Sequence, residues 1–222
     1  MSPSRKIAIV GGSGALGRGL ARRLAAAGHI VTLGSRDPER AAVIAAELTS
    51  TLKGKAVNAT DYRSAVGGSE IVFLTVPYAA QRDSARTIQE FLGGKILVDT
   101  TVPLMPPKVG TVQLPEGGSA VAAIQEMLGD DVRVVSAFQN ISAKHLGELD
   151  HKIDCDVLVC GNDLAASETV IALCTDIGMR GIYAGPVRNS AAMEAMTSLL
   201  ITINRRHKIT DSGFRITGIP TL

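Results

Sequence analysis

A glycine-rich turn near the beginning of the chain has the residue types and spacing of a binding site for nucleotide phosphates. In the run Lys6-Ile-Ala-Ile-Val-Gly-Gly-Ser-Gly-Ala-Leu-Gly17, β-type apolar residues lead into glycines at positions 12, 14 and 17. Gly12 is expected to allow the tight turn, Gly14 to let the backbone approach a phosphate, and Gly17 to bring the following helix close to the strand. Such a helix start offers unpaired N–H groups to an anion. A purely conformational turn is the alternative, which the strand pattern before the motif and the helix pattern after it disfavour.

The end of the second predicted strand indicates which dinucleotide this site would take. There the chain reads Ser35-Arg36, with Arg40 one helical turn further on, at a place where NAD sites usually carry a carboxylate for the ribose hydroxyls. A hydroxyl and two guanidinium groups suit a dianionic phosphate, so these residues favour NADP(H) over NAD(H). Two alternatives stay open: both arginines could be solvated residues at a helix start, and Asp37 could partly neutralise the pocket.

The other reactive residue types do not form a recognisable catalytic group. No tyrosine is followed four residues later by the lysine of short-chain dehydrogenases, since Tyr62, Tyr78 and Tyr183 are followed by Val66, Arg82 and Val187. No H-x-H or H-E-x-x-H spacing occurs, so no metal site is predicted among His29, His145, His151 and His207. We therefore expect hydride chemistry that needs no dedicated acid or base, and we predict no catalytic residue.

The elements that must position these residues alternate along the chain. Apolar runs rich in Val, Ile and Leu are separated by amphipathic stretches, which is typical of an α/β protein with a parallel sheet covered on both faces. We predict strands near 6–11, 30–34, 55–58, 70–75, 96–99, 132–136, 156–160 and 181–184, and helices near 15–27, 38–50, 61–66, 79–92, 119–128, 163–176 and 189–205. The prediction is a Rossmann-type, doubly wound, mostly parallel sheet. It forms one domain over residues 1–222, in which a small C-terminal extension, 181–222, contributes to the second substrate's site.

Composition disfavours several classes of protein. The formal net charge of +2 over 222 residues is too small to indicate nucleic-acid binding. No apolar run approaches the length that spans a bilayer, so we expect no membrane partner and a cytoplasmic protein. The three cysteines, Cys155, Cys160 and Cys174, lack C-x-x-C spacing and are expected to be reduced, buried and packed as small apolar residues.

Six segments together resemble one protein family. They are Gly11-Gly-Ser-Gly-Ala-Leu-Gly17, Gly34-Ser-Arg36, Thr75-Val-Pro-Tyr78, Ser136-Ala-Phe-Gln-Asn-Ile-Ser142, Ala184-Gly-Pro-Val-Arg-Asn-Ser190 and Gly213-Phe-Arg-Ile-Thr-Gly218. In this order, over nearly the whole chain, they are similar to the NADPH-dependent reductases of the deazaflavin coenzyme F420. The glycine motif is shared with many Rossmann proteins, whereas its combination with the Ala-Gly-Pro and C-terminal segments is much more specific. The resemblance implies hydride transfer between NADP(H) and F420, with the protein aligning the two rings.

The resemblance also implies roles for individual residues. Those expected to hold the adenosine phosphates of NADP are Ser13, Gly14, Ala15, Leu16, Ser35, Arg36 and Arg40, and those expected to flank the nicotinamide are Val76, Ala80, Ile141 and Ala143. The deazaflavin would lie in a pocket made by residues 138–143 and the C-terminal tail, with contacts from Gln139, Asn140, Arg205, Arg206 and Arg215. Core packing of Val76 and Ile141, and a solvated basic tail, are the alternatives. Some family members carry a histidine at the position of Gln139, and glutamine cannot titrate near neutral pH.

Two other functions and one assembly question stay open. The chain could reduce a flavin or a ferric chelate with NADPH, or it could be a non-catalytic NADPH-binding sensor. The last predicted helix has an apolar stripe made of Met193, Met196, Leu199, Leu200 and Ile203. This stripe could pack on the chain's own sheet or form a homodimer interface, and the resemblance favours the homodimer.

Overall fold

Eight strands form one sheet in which the first six strands end along a common edge. The computed structural model describes residues 2–219. The strands are β1 (Lys6–Val10), β2 (Ile30–Ser35), β3 (Val57–Asp61), β4 (Ile71–Leu74), β5 (Ile96–Asp99), β6 (Arg133–Ser136), β7 (Asp156–Gly161) and β8 (Arg180–Tyr183), in the order β3-β2-β1-β4-β5-β6-β7-β8. Strands β1 to β6 are parallel, whereas β7 runs antiparallel to β6 and parallel to β8. The predicted mostly parallel α/β sheet is confirmed.

The helices follow the predicted ones closely, with one addition. They are α1 (Ala15–Ala26), α2 (Pro38–Ser50), α3 (Tyr62–Gly67), α4 (Tyr78–Ile88), α5 (Ala120–Leu128), α6 (Ala143–Leu146), α7 (Leu164–Asp176) and α8 (Ser190–His207). Short 3₁₀ turns occupy Gln89–Phe91 and Val187–Asn189. Helix α6 was not predicted because it has only four residues and therefore no periodic pattern.

The sheet is covered on both faces because β4 is apolar at every position, and β1 and β5 are apolar at all positions but one. In β1, Ile7 and Ile9 face a cluster that includes residues of α1, α2 and α7, while Ala8 and Val10 face a cluster with residues of α3, α4 and α5. Side chains alternate between faces along a strand, so a continuous apolar run buries both sides. This packing holds the carboxyl ends of the strands in fixed relative positions.

A buried carboxylate attaches α8 to the start of α5. Glu194 of α8 is 1% exposed and accepts hydrogen bonds from the backbone N–H groups of Ala120 and Val121 and from the hydroxyl of Ser119, at the start of α5. Burial raises the pKa of Glu194, and these donors offset part of that effect. The carboxylate thus satisfies N–H groups at a helix start that no residue within α5 can reach.

The long connection between β5 and α5 lies along α8. The hydroxyl of Ser198 donates to Thr111 O, 3.3 Å away, and the hydroxyl of Thr202 donates to Gly110 O, 2.9 Å away. A Cβ at Gly110 would come within 2.8 Å of the Thr202 hydroxyl oxygen, so glycine is required there by the close approach. These contacts connect the C-terminal helix to the loop that leaves the sheet's carboxyl edge.

The cysteines are free and buried, as predicted. Burial raises the pKa of Cys155 and of Cys160 to about 11, and it raises the pKa of Cys174 further. All three side chains therefore remain protonated at neutral pH.

Within residues 2–219, every helix is either too short or too polar to cross a lipid bilayer.

Candidate dinucleotide site at the sheet edge

The glycine-rich turn joins β1 to α1 at the point where the strand order reverses between β1 and β4. Gly11 has φ +83°, in the left-handed region that favours glycine. Gly12 is required for a different reason, because a Cβ there would lie 2.8 Å from Leu33 Cδ2 and 3.0 Å from Ile9 O. Ligands of open α/β sheets bind at such a reversal of strand order.

The two later glycines of the motif differ in what surrounds them. A Cβ at Gly17 would meet Gly12 Cα and the Thr75 hydroxyl, each at 2.8 Å, so Gly17 does let α1 pack closely, as predicted. A Cβ at Gly14 would meet only Gly11 O at 3.5 Å, an ordinary contact distance. The protein's own packing therefore does not require a glycine at position 14, and the space beside its Cα faces outward.

The start of α1 has no internal cap. Gly14 is the N-cap residue and provides no side-chain hydrogen bond, and the first turn contains no acidic residue. The N–H groups of such a first turn lack partners in the helix and carry its positive dipole end. This helix start can therefore accept an anionic ligand without competing with a carboxylate of the chain.

Sequence reasoning missed Arg18. Its Nε donates to Ser13 O at 3.1 Å, and its Nη1 lies 3.7 Å from Glu47 Oε2. The guanidinium group thus folds back over the glycine-rich turn, where Glu47 offsets part of its charge. A basic residue directly after the last glycine of the motif could have indicated this contact, because side chains of a helix tilt toward its N-terminus.

The carboxyl end of β2 presents the predicted hydroxyl and guanidinium groups. Ser35 is buried, and its Oγ accepts from the backbone N–H of Asp37 at 3.1 Å, which leaves the hydroxyl hydrogen free to donate. Arg36 and Arg40 are exposed, and neither forms an ion pair with any residue between 2 and 219. Both guanidinium groups are therefore available to an external anion.

Two carboxylates near this strand end are engaged by helix starts. Asp37 accepts from the backbone N–H of Arg40 at 3.0 Å as the N-cap of α2. Asp61, opposite Ser35 in the sheet register, caps α3 by accepting from Arg63 N and Ser64 N, and hydrogen bonding from Ser64 lowers the pKa of Asp61. Each negative charge is therefore directed at a helix N-terminus, where the helix dipole offsets it.

The residues predicted to flank a nicotinamide lie at the same edge but in different packing clusters. Val76, after β4, is 8% exposed and approaches the glycine-rich turn so closely that a Cβ at Gly11 would be 2.8 Å from its Cγ1. Ala80 packs with the same cluster, whereas Ile141 belongs to the cluster on the opposite face. Ala143 begins α6 and is half-buried. A ring between these residues would therefore lie across the end of the sheet.

A buried polar network lies at the ends of β5 and β6. The Asp99 carboxyl is fully buried and accepts from Gln81 Nε2 at 2.6 Å and from Thr101 N at 2.9 Å, and burial raises its pKa. Gln139 Nε2 donates to Asp99 O and to Ser136 Oγ, both at 2.9 Å. Two buried atoms of this network, Gln139 Oε1 and Thr101 Oγ1, have no hydrogen-bond partner among the described residues. Both atoms are enclosed by the protein, so they belong to this buried network and are not exposed to a ligand at the sheet edge.

Residues 138–143 form a constrained bend attached to α8. Phe138 has φ +70°, a conformation that a bulky residue adopts only when its surroundings impose it. Asn140 Nδ2 donates to Met193 O at 3.0 Å and to Thr197 Oγ1 at 2.8 Å, and the Thr197 hydroxyl donates to Gln139 O at 3.1 Å. The amide nitrogens of Gln139 and Asn140 are thus used within the protein, and their contacts with an acceptor stay predictions.

The predicted basic residues of the tail are not gathered in one place. Arg205 and Arg206 are exposed in the last turn of α8. Arg215 forms an ion pair with Asp154, which neutralises part of its charge. Asp154 and Asn140 line one cavity of about 210 Å³, so Arg215 borders the bend at 138–143 only through its partner. Roles for these arginines in substrate binding stay predictions.

Comparison with known proteins agrees with this geometry. The family model described as "NADP oxidoreductase coenzyme F420-dependent" matches residues 6–103. An F420-dependent NADP reductase of Methanocaldococcus jannaschii is 38% identical, covering 96% of this chain and 99% of that protein, and one of Methanothermobacter thermautotrophicus is 36% identical, covering 97% and 96%. The crystal structure of a candidate F420-dependent NADP reductase from Arthrobacter sp. FB24 superposes with a TM-score of 0.80 at 28% identity, covering 96% of this chain and 100% of that one.

Proposed function

This chain belongs to the family of F420-dependent NADP reductases, and we propose that it transfers a hydride between NADP(H) and coenzyme F420 at the carboxyl edge of its sheet. The single observation that carries the proposal is similarity to these reductases over nearly the full length of both chains. Similarity that extends through the C-terminal segment includes the part of the chain where the second substrate would bind. The balanced reaction is NADPH + F420 + H⁺ ⇌ NADP⁺ + reduced F420, and the two rings supply its redox chemistry.

The dinucleotide's pyrophosphate would bind at the start of α1. The candidate residues are Gly12, Ser13, Gly14, Ala15, Leu16 and Gly17, to which Arg18 is added. The open side of Gly14 gives a phosphate access to the backbone, and the uncapped helix start supplies N–H groups. The pyrophosphate would therefore occupy space, and accept hydrogen bonds from N–H groups, that the protein's own packing leaves unused.

Preference for NADP(H) would come from the end of β2. Ser35 can donate a hydrogen bond, and the unpaired guanidinium groups of Arg36 and Arg40 can contact a 2′-phosphate. Charge-assisted hydrogen bonds of this kind contribute about 1.5–3 kcal/mol each. The Asp37 carboxylate caps α2 by accepting from the backbone N–H of Arg40, and among the described residues it forms no ion pair with either arginine.

The chain would act on the reacting rings by positioning them. Val76, Ala80, Ile141 and Ala143 would supply apolar walls for the rings at the sheet edge. The side chain of Asp99 is closed off by Gln81 and Thr101, so it orients this network and does not transfer a proton. Holding two rings in contact accounts for catalysis without a protein acid or base.

The C-terminal extension would complete the acceptor site. Residues 181–222 include α8, which holds the bend at 138–143 through the Asn140 bonds to Met193 and Thr197. We treat the chain as one domain in which this extension borders the deazaflavin. Arg205, Arg206 and Arg215 are retained as candidate contacts for an acidic side chain of the deazaflavin.

A homodimer is also part of the proposal. The predicted apolar stripe of α8 divides: Met193 and Leu200 are buried within the chain, whereas Leu199 is 48% and Ile203 41% exposed. The loop that lies along α8 adds exposed Met105 and Val112. Apolar side chains exposed on neighbouring elements support a second copy of the chain as the surface that covers them.

A cytoplasmic location is proposed on the state of the thiols. The three cysteines are unpaired, buried and shifted to high pKa, so none is suited to forming a disulfide. Proteins of reducing compartments typically keep such thiols.

Stopped-flow absorbance tests the reaction. The purified protein is mixed with NADPH and oxidised F420 while both chromophores are followed, with NADH replacing NADPH and with FMN or a ferric chelate replacing F420 as controls. We expect matched loss of both chromophores with NADPH as the efficient donor. Binding of NADPH without any change in the F420 spectrum would refute the proposal and favour the flavin, metal-chelate or sensor functions.

A further inference from the structure

Three potential metal ligands converge on α6 and the segment that follows it. His145, Glu148 and His151 each offer one ligand atom, and these atoms all lie within 4.8 Å of one another. Glu148 Oε2 is 3.1 Å from His145 Nδ1 and 3.9 Å from His151 Nδ1. Ligand atoms of a tetrahedral zinc ion, bound at about 2.0–2.2 Å, lie roughly 3.3–3.5 Å apart. The observed separations bracket that spacing.

A buried arginine organises this segment from the other side. Arg23 of α1 is 7% exposed, and its Nη2 donates to the carbonyl oxygens of all three ligand residues, at 2.9 Å for His145, 2.6 Å for Glu148 and 2.8 Å for His151. Its Nε donates to Leu146 O at 3.0 Å. The chain therefore curves around one guanidinium group with every third carbonyl turned inward. This curvature brings the side chains at 145, 148 and 151 together, with His145 Nδ1 and Glu148 Oε2 already in hydrogen-bond contact at 3.1 Å.

The surroundings of the cluster suit a cation. Glu148 is exposed and directs Oε2 at His145 Nδ1, the nitrogen that would bind the ion. Asp211 Oδ2 lies 3.3 Å from His145 Nε2, which has no aligned hydrogen-bond partner among the described residues. In zinc sites, a carboxylate often accepts a hydrogen bond from the histidine nitrogen that does not bind the ion. This contact fixes the tautomer in which the other ring nitrogen can bind the metal.

The cluster as it stands needs one side-chain movement to hold an ion. The rings of His145 and His151 stack with centroids 3.9 Å apart and planes inclined by 13°, so their Nδ1 lone pairs do not yet meet at one point. The His151 side chain is 38% exposed, and Arg23 holds the carbonyl oxygen of His151 but not its imidazole ring. The ring can therefore turn out of the stack. The backbone, held by Arg23, stays in place during this rotation.

We propose that His145 Nδ1, Glu148 Oε2 and His151 Nδ1 form a binding site for a divalent transition-metal ion of the zinc class. Two imidazoles and one carboxylate are the donor set of many zinc sites, and water would complete the tetrahedron. The spacing H-x-x-E-x-x-H differs from the two patterns considered in the sequence, which is why no metal was predicted. The proposal does not depend on the proposed hydride transfer, although His145 and His151 line the same cavity as Asn140.

The test is titration of the chain, free of any polyhistidine tag, with Co²⁺ followed by its visible absorption and with Zn²⁺ as competitor. We expect a single ion per chain, Co²⁺ displaced by Zn²⁺, and a rise in the melting temperature with Zn²⁺. His151→Ala and Glu148→Gln should each lower Zn²⁺ affinity at least about tenfold, and Asp211→Asn should do so by roughly tenfold. His207→Ala, at the end of α8, is the matched control and should bind as the unmodified chain does.

Melting in the presence of a chelator separates loss of the site from loss of the fold. The backbone of the segment is held by Arg23, so His151→Ala and Glu148→Gln should melt within a few degrees of the unmodified chain under those conditions. Absence of a tetrahedral Co²⁺ spectrum in the unmodified chain would overturn the proposal. Equal Zn²⁺ affinity in His151→Ala, Glu148→Gln and His207→Ala would overturn it as well.

Discussion

Replacing Gly14 by alanine separates the fold from the proposed phosphate site. The backbone at Gly14 has φ −76° and ψ 165°, which alanine adopts without strain, and the new Cβ would meet only Gly11 O at 3.5 Å. Losing glycine as N-cap costs roughly 0.5–1 kcal/mol, and the smaller entropy of the unfolded chain returns about 0.4–1 kcal/mol. The melting temperature should therefore change by less than about 4 °C.

Binding should respond differently, because the added methyl would occupy the space through which a phosphate reaches the backbone. Overpacking by one methyl typically costs about 1–3 kcal/mol, which corresponds to roughly a 5- to 150-fold increase in the Kd for NADPH. The assay is titration of NADPH followed by its own fluorescence, together with thermal melting of the same samples. Gly93→Ala, at an exposed position with nothing within 4 Å of the new Cβ, is the matched control.

Gly17→Ala completes the comparison. Its Cβ would lie 2.8 Å from Gly12 Cα and from the Thr75 hydroxyl, so we expect loss of stability along with loss of binding. The reasoning about Gly14 is refuted if Gly14→Ala binds NADPH with an unchanged Kd, or if its melting temperature falls as far as that of Gly17→Ala.

Three further outcomes follow from the structure. Arg36→Ala should raise the Kd for NADPH about tenfold or more and leave the Kd for NADH unchanged. Arg86→Ala, at another exposed arginine, is the control. Equal effects on both nucleotides would contradict a contact between Arg36 and the 2′-phosphate. Glu194→Ala should lower the free energy of unfolding by about 2–4 kcal/mol in urea titrations, because it leaves buried N–H groups of α5 unpaired, whereas Glu194→Gln should cost less. Burial lowers the pKa of His29 below its usual 6.5, so the unfolded chain binds the proton more readily and the free energy of unfolding should fall as pH drops below that value. In His29→Gln this part of the pH dependence should disappear, and an unchanged slope would contradict the assignment.

The amino-acid sequence determined the sheet, most helix boundaries and the chemical character of the strand ends. The apolar runs around β1, the glycine spacing after it and the hydroxyl and guanidinium groups after β2 are signals within about 40 residues of one another, and local geometry converts them directly into a strand, a turn and a helix. The third strand was placed too early, at 55–58 where the structure has Val57–Asp61, because an edge strand with polar residues has only a weak pattern.

Only the tertiary structure decided the features that depend on distant contacts. The reversed direction of β7, the turn at Gly11, the cap that Glu194 provides to α5 from 74 residues away, and the curvature that Arg23 imposes on the segment at 145–151 all involve partners far apart in the chain. Local residue patterns limit which conformations each segment can adopt. The conformation that each segment finally adopts depends on the free energy of burying apolar groups and pairing polar ones. Those groups become neighbours only when the chain folds.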